Sequence, residues 1–137
     1  MSNYTITITE KQAYAIRDFC ELAARIGMLQ FDMIADHVTG FDGKHGIISD
    51  QYCDIRDECS SLEGRLISLN IVNNRTRSES SNIAWDLYQV IRYRLAHDNL
   101  EHGEQPTGSV IYHTPMKTSK EVLAKIEKVD DEIQKRT

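Results

Sequence analysis

The chain has 137 residues, of which 40% are hydrophobic and 27% charged, and its formal net charge is −5. This composition is typical of one globular domain, residues 1–137, that buries a core without disulfide or metal staples. The acidic balance argues against a general nucleic-acid binder, because affinity for phosphate backbones comes from clustered lysine and arginine.

The start of the chain and its three cysteines indicate the compartment. The first residues, MSNYTITITEKQ, lack the basic and apolar runs of a signal peptide, and no apolar run approaches membrane-spanning length. The cysteines have no CxxC spacing, so reduced thiols are expected. These features predict a cytoplasmic protein with no membrane partner.

The N-terminal quarter predicts a short strand followed by a helix. Residues 4–9, YTITIT, alternate in polarity and favour a strand. Thr9 and Gln12 then form a capping box that opens a helix over about 10–38. Gly27 lies inside this helix, where it either allows close packing against a neighbour or divides the helix in two. Close packing is preferred, because the apolar periodicity runs through Gly27.

The middle of the chain predicts two further helices. A near-heptad apolar stripe indicates a helix over about 50–70 with one wet face. Residues 73–82, which contain no apolar side chain, predict a surface loop whose Ser80, Ser81 or Asn82 caps the next helix. That helix, over about 82–101, is apolar on more than one side, so it is expected to be buried between neighbours or covered by another subunit.

The last third predicts a second strand and a fourth helix. Residues 109–114 have strand character and are expected to pair with strand 4–9. Thr118 and Glu121 form another capping box, which predicts a helix over about 119–135. The predicted fold is therefore mainly α, a helical bundle of about four helices with a small two-stranded β-ribbon.

The helix 82–101 also holds the candidate binding residues. Aromatic side chains and arginines together can stack a base and pair a phosphate, and they also dominate protein–protein interfaces. The nominated ligand contacts are Trp85, Tyr88, Arg92, Tyr93 and Arg94. Packing of the aromatic residues in the core is the alternative interpretation.

One arrangement in the same helix could carry chemistry. Arg92 and His97 fit the R-x4-H pattern, and the stretch resembles the motif of HEPN-type ribonucleases. That resemblance implies an all-α dimer in which His97 acts in acid–base chemistry and Arg92 stabilises the phosphate. The five histidines show no metal-ligand spacing, so neither a metal nor a cofactor is expected.

Several stretches resemble small accessory proteins of bacteriophages and prophages, namely ITITEKQAYAI, RIGMLQF, AWDLYQVIRYRLAHD and PMKTSKEVLAKIEKV. The resemblance implies action in the bacterial host cytoplasm, where such proteins often inhibit defence systems. The resulting hypothesis is a non-enzymatic counter-defence protein, a homodimer or higher oligomer, that sequesters a small anionic nucleotide signal. The alternatives are a direct protein inhibitor of a host defence enzyme and a HEPN-like, metal-independent ribonuclease.

Overall fold

The computed structural model describes residues 2–39, 50–68 and 78–129 of the chain. Within these ranges the protein is mainly helical, as the sequence predicts, with four α-helices and one short 3₁₀ helix. The α-helices are α1 (Glu10–Gly27), α2 (Asp32–Thr39), α3 (Asp50–Ser68) and α4 (Glu79–Asp98), and the 3₁₀ helix is Val110–Tyr112. No helix in the described ranges is long and apolar enough to cross a membrane.

Both α1 and α4 begin at a side-chain cap. The Gln12 N–H donates to the Thr9 hydroxyl at 3.2 Å, and Gln12 Oε1 accepts from the Thr9 N–H at 2.8 Å, which confirms the predicted capping box. In α4 the Ser78 hydroxyl accepts from the Ser81 N–H at 3.2 Å, so the cap precedes the positions predicted for it. Each cap satisfies donors that a helix start leaves open, which stabilises the helix by about 1 kcal/mol.

The first predicted helix, 10–38, is divided into α1 and α2, so the periodicity across Gly27 does not mean one continuous helix. The chain turns at Leu29, whose φ of 60° lies in the left-handed region. This conformation costs a non-glycine residue roughly 1–2 kcal/mol. The turn buries Leu29 and Phe31 to 5% and 7% exposure, and burial of these two large apolar side chains offsets the strain.

Gly27 also allows the close approach that the sequence predicts. A Cβ built at Gly27 would lie only 2.0 Å from Ser81 Oγ on α4. At the other end of the pair, Asn99 Nδ2 donates to the Tyr14 hydroxyl at 2.8 Å. The two helices therefore run antiparallel and pack along their length. Gly27 both ends α1 and brings it against α4.

The second helix pair is α2 on α3. The Tyr52 hydroxyl donates to Asp36 Oδ1 at 2.6 Å, and this hydrogen bond, aided by burial, raises the pKa of Tyr52. The buried apolar residues are shared between the two pairs and are Ala24, Leu29, Phe31, Ala35, Tyr52, Val90, Ile91 and Leu95. No large side chain among the described residues is below 2% exposure. The apolar core is small, so specific polar contacts contribute appreciably to the stability of this fold.

The predicted β-ribbon is not formed by the described residues. Residues 2–9 have no regular structure, and Tyr4 and Ile6 are 89% and 78% exposed. The predicted strand 109–114 instead contains the 3₁₀ helix, where the Tyr112 ring meets the His97 ring edge-on at 5.6 Å. The second segment is thus held on α4. A strand pattern without a partner strand is not stable by itself.

The predicted helix 119–135 is also wrong over residues 119–129, which have no regular structure. The Thr118 hydroxyl, which was expected to cap this helix, donates to Asp86 Oδ1 on α4 at 2.6 Å. Thr118 is therefore engaged by a distant residue and does not start a helix. Residues 130–135, the end of the predicted helix 50–70 and part of the predicted loop 73–82 lie outside the described residues.

Candidate ligand-binding site

Helix α4 is buried on two sides, as its apolar residues on more than one face predict. One side packs against α1, and another is covered by the 3₁₀ helix and the chain that follows it. Three of its buried residues are polar, since Asp86, Gln89 and Arg92 are each at most 7% exposed. Burial of a polar side chain is unfavourable unless it finds partners, so these three residues indicate specific contacts.

Four side chains form a continuous aromatic–arginine cluster between α1 and α4, namely Arg25, Trp85, Tyr88 and Arg92. The centroids of the half-buried Trp85 and Tyr88 rings are 5.0 Å apart, and the ring planes are tilted by 35°. Arg25 Cζ lies 5.3 Å from the Trp85 centroid, and Arg92 Cζ lies 5.6 Å from the Tyr88 centroid. Each guanidinium is within cation–π range of its ring. The cluster therefore has an arginine at each end and two aromatic rings between them.

The two arginines of the cluster have few partners. Arg25 Nη1 donates to Gln30 Oε1 at 2.9 Å, and Arg25 Nη2 forms a salt bridge with Glu21 Oε1 at 3.3 Å. Arg92 has no carboxylate partner within the described part of the chain, and its Nη2 donates to the His113 carbonyl oxygen at 3.0 Å. In both arginines Nε is buried and has no hydrogen-bond partner. Because an unpaired buried donor costs roughly 1–3 kcal/mol, an added acceptor would be stabilising at both points.

The other two nominated ligand contacts lie outside the cluster. Arg94 Nε pairs with Asp98 Oδ2 at 2.9 Å. The Tyr93 ring lies 4.2 Å from the His97 ring, measured between centroids. Side chains two positions apart on a helix point about 200° apart, so Arg92 and Arg94 do not converge on one phosphate. The structure brings Trp85, Tyr88 and Arg92 together and adds Arg25, which the sequence did not indicate.

The Arg92 and His97 side chains of the R-x4-H pattern have separate surroundings. They are about 140° apart around α4. The His97 ring contacts Tyr93 at 4.2 Å and Tyr112 at 5.6 Å, and its Nε2 is buried without a hydrogen-bond partner. A general acid or base must reach the proton it transfers. The geometry therefore favours a packing role for His97 over a catalytic one.

A further set of α4 side chains, not indicated by the sequence analysis, binds an extended segment, residues 113–120, called the strap below. Asp86 is its central anchor. Oδ1 accepts from the Thr118 N–H at 2.8 Å and from the Thr118 hydroxyl at 2.6 Å, and Oδ2 accepts from the Ser119 N–H at 3.0 Å and from the Ser119 hydroxyl at 2.6 Å. Burial alone would raise the pKa of Asp86, but these hydrogen bonds to its charged form outweigh burial and lower the pKa.

The rest of the strap is held mainly through its backbone. Gln89 exchanges two hydrogen bonds with Met116, donating from Nε2 to the carbonyl oxygen at 2.9 Å and accepting at Oε1 from the N–H at 3.0 Å. Glu79 Oε1 accepts from the Lys120 N–H at 2.6 Å. The strap therefore runs antiparallel to α4. Its contacts fall on positions at helical spacing, which are Glu79, Asp86, Gln89 and Arg92.

A cleft of 530 Å³ opens beside Arg25, and its lining includes residues of α2 and α3. Arg25 and Arg56 contribute positive charge to it, and Asp32 and Glu63 contribute negative charge. The volume suits a small molecule, but this balance of charges does not favour an anion. The aromatic–arginine cluster is the better candidate, because it joins aromatic faces to two guanidinium groups whose Nε donors have no acceptor.

Among the residues described, no three His, Cys, Asp or Glu side chains gather in a way that could hold a metal ion. All three cysteines are free thiols, and burial raises the pKa of Cys20 and Cys59, which makes these two thiols less reactive. In comparisons with known proteins, no family model, curated protein or solved structure matches the chain.

Proposed function

We propose that the protein binds a small anionic nucleotide on the aromatic–arginine cluster and holds it without changing it chemically. One observation supports the proposal: the neighbouring Trp85 and Tyr88 rings are flanked by two guanidinium groups, and each guanidinium has a buried Nε without a protein acceptor. Bases stack on aromatic faces, and phosphates pair with guanidinium groups. The cluster therefore suits a ligand that has one planar ring system and one or more phosphates.

The charge of the whole chain limits the size of the ligand. With a net charge of −5, a long polyanion would be repelled by most of the protein surface. A mononucleotide or dinucleotide would meet the two cations of the cluster, beside the Glu21 carboxylate that pairs with Arg25. The Tyr88 hydroxyl is protonated at neutral pH, as a tyrosine ordinarily is, and can donate a hydrogen bond. These features support a small nucleotide over RNA or DNA.

The biological context of the proposal is a phage-type accessory protein in the bacterial cytoplasm that removes the nucleotide signal of a host defence system. This context is proposed from four stretches of the sequence alone. Sequestration requires affinity and no catalytic group, which agrees with the packed surroundings of His97.

Trp85 provides a direct test, because it is the one tryptophan of the chain. A panel of linear and cyclic nucleotides is titrated while the fluorescence of Trp85 is recorded, and stacking of a base should quench it. Arg92→Met should weaken binding of the quenching nucleotide roughly tenfold to hundredfold, by removing a charge-assisted hydrogen bond.

Arg94→Met is the matched control, because Arg94 pairs with Asp98 outside the cluster, and its affinity should equal that of the wild type. The ligand should be recovered intact after denaturation. Equal losses in the two variants, or no quenching by any nucleotide, would contradict the proposed site. A cleaved ligand whose cleavage disappears in His97→Ala would instead favour the ribonuclease.

A direct protein inhibitor of a host defence enzyme is the second candidate, and an exposed apolar stripe on α1 favours it. The stripe consists of Ile16, Phe19, Ala23 and Ile26, all exposed, and Phe19 is 58% exposed. Its 3-4-3 spacing is that of a helix–helix seam. Contiguous exposed apolar side chains commonly mark an interface, either with a host protein or with a second copy in the homodimer or higher oligomer that we also propose.

Phe19→Asp tests whether this stripe joins copies of the chain. Sedimentation at micromolar concentration should show a dimer or larger species for the wild type. The dissociation constant should rise roughly thirtyfold or more in the variant, because a buried aromatic anchor is replaced by a charge. Leu62→Asp changes an apolar side chain of α3 that is 45% exposed, and it should not alter sedimentation. If the wild type sediments as a monomer, the stripe remains available for a host protein.

A further inference from the structure

We infer that the strap gates the aromatic–arginine cluster: the strap and the ligand compete for Arg92, and a nucleotide engages the full cluster only when the strap lifts. The inference rests on the proposed function, because it concerns access to the same site. It adds that the site has a closed state, with the strap in place, and an open state, with the strap released.

The competition follows from the contacts of Arg92. The side chain is buried, with the residue 7% exposed, and the hydrogen bond of its guanidinium within the described residues goes to the His113 carbonyl oxygen at 3.0 Å. His113 is the first residue of the strap. A phosphate oxygen would need the same guanidinium, and as a charged acceptor it makes the stronger hydrogen bond. A phosphate therefore cannot fully engage Arg92 while the strap is in place.

The contacts of the strap allow it to lift without breaking the core. Those that hold it to α4 are polar, and water can replace them when the strap is released. Within the strap, Met116 is 72% exposed and Pro115 is only partly buried, so docking of the strap buries little apolar surface. Segments with few buried apolar contacts open at low free energy.

The chain that leads into the strap can act as the hinge. Residues 101–109, before the 3₁₀ helix, are exposed throughout and have no regular structure. Gly103 has a φ of 84°, a conformation that glycine adopts without strain. A change in the direction of this segment would carry the 3₁₀ helix away with the strap and break the contact of Tyr112 with His97, while the packing of α1 on α4 is kept.

The closed state also leaves one cluster group unsatisfied. With the strap in place, Arg92 Nε is buried and has no acceptor. A phosphate that replaces His113 can present oxygens to both Nη2 and Nε, which a single carbonyl oxygen does not do. Asp86 favours the closed state through its four hydrogen bonds to the strap, and the ligand favours the open state. The balance between them sets the fraction of open molecules.

This balance predicts that a looser strap gives tighter nucleotide binding, because the apparent dissociation constant is the intrinsic one divided by the open fraction. The probe is ADP, which carries one base and two phosphates, and its binding is measured by calorimetry on the full chain. ADP should bind roughly tenfold or more tightly to Asp86→Asn than to the wild type, with Gln89→Ala intermediate. Asp54→Asn, an exposed acid of α3 away from the strap, is the control and should bind like the wild type.

Limited proteolysis measures the release of the strap independently of nucleotide affinity. Lys117 and Lys120 are trypsin sites within the strap, and cleavage after them, identified by mass spectrometry, should be faster in Asp86→Asn and Gln89→Ala. In the wild type, saturating ADP should also accelerate this cleavage, because coupling between two sites is reciprocal. Unchanged circular dichroism of the helices, or the milder Gln89→Ala if Asp86→Asn fails to fold, separates strap release from general unfolding.

The outcomes separate failure of the proposed gate from failure of the proposed nucleotide site. If the strap is released but ADP affinity does not change, the gate is overturned while nucleotide binding stands. If ADP slows cleavage in the wild type, the strap closes over the ligand and the competition is overturned. If ADP binds none of the variants, even with the strap released, both the proposed function and the gate fail.

Discussion

Replacing Gly27 by alanine should lower the free energy of unfolding by about 2–3 kcal/mol, although alanine is the better helix former. The added methyl group would lie 2.0 Å from Ser81 Oγ and 2.7 Å from Ser81 Cβ. The Cβ atom cannot move away by a side-chain rotation, so α1 and α4 would have to separate. These are the two helices that carry the aromatic–arginine cluster. The loss is measured as a lower midpoint in urea denaturation with an unchanged slope.

Variants of Ser81 show whether this contact is the cause. Ser81→Ala removes only the Oγ contact, whereas Ser81→Gly removes both contacts. Combined with Gly27→Ala, Ser81→Gly should therefore restore most of the lost stability, and Ser81→Ala should restore less. Gly64→Ala is the matched control on α3, because nothing lies within 4 Å of the added carbon, and it should stabilise the protein by about 0.5–1 kcal/mol. A Gly27→Ala variant as stable as Gly64→Ala would contradict the close packing.

The sequence predicts α1, α3 and α4 correctly from local signals. Thr9 and Gln12 mark the start of α1, and the apolar stripe of residues 50–70 corresponds to α3. The division between α1 and α2 was missed because its cause is tertiary. Leu29 adopts a left-handed conformation to bury its side chain, and nothing in the local pattern indicates that. A glycine within an apolar helical pattern, such as Gly27, indicates either a close helix contact or the end of a helix. The pattern alone does not show that Gly27 is both.

The C-terminal predictions failed because contacts distant in sequence replaced local ones. The Thr118 capping box is a valid local pattern, but Asp86, 32 residues earlier, takes the hydroxyl that the cap needs. The strand pattern of 109–114 is likewise replaced by packing of Tyr112 on His97. A signal for the strap was present, since Asp86 and Gln89 stand at helical spacing among apolar residues. Polar residues at buried helix positions indicate a partner that supplies polar groups.

The candidate site was predictable only in part, because it too depends on contacts between residues distant in sequence. Trp85, Tyr88 and Arg92 follow helical spacing, so their proximity can be expected from the sequence. Arg25 completes the cluster from another helix, 60 positions earlier than Trp85, and only the antiparallel packing of α1 on α4 brings it there. Composition alone also placed Arg94 in the site, although its position on the helix turns it towards Asp98.

The second large effect expected is a loss of stability when the Asp86 carboxylate is removed or neutralised. Asp86→Asn should lower the free energy of unfolding at pH 7 by about 2–3 kcal/mol, because hydrogen bonds to a charged group contribute most among those that hold the strap. The loss is limited by the docking free energy of the strap, since a detached strap exposes its donors to water. Urea denaturation measures it, and Ser109→Ala, a serine outside the strap, should leave stability unchanged.

The pH dependence of stability tests the charge of Asp86 itself. Hydrogen bonds from Thr118 and Ser119 hold its pKa below the ordinary value in the folded protein, despite the opposing effect of burial. The unfolded chain therefore binds the proton first as the pH falls, so this stabilisation is complete above the ordinary pKa of about 4 and is lost as the pH falls through the lowered folded value. The stability of the wild type should fall towards that of Asp86→Asn over this acid range. Thr118→Val combined with Ser119→Ala removes both hydroxyl donors and should make the acid loss shallower. If the wild type and Asp86→Asn keep a constant difference down to low pH, the stabilisation does not come from the ionised carboxylate, and the strap must be held mainly by its other contacts.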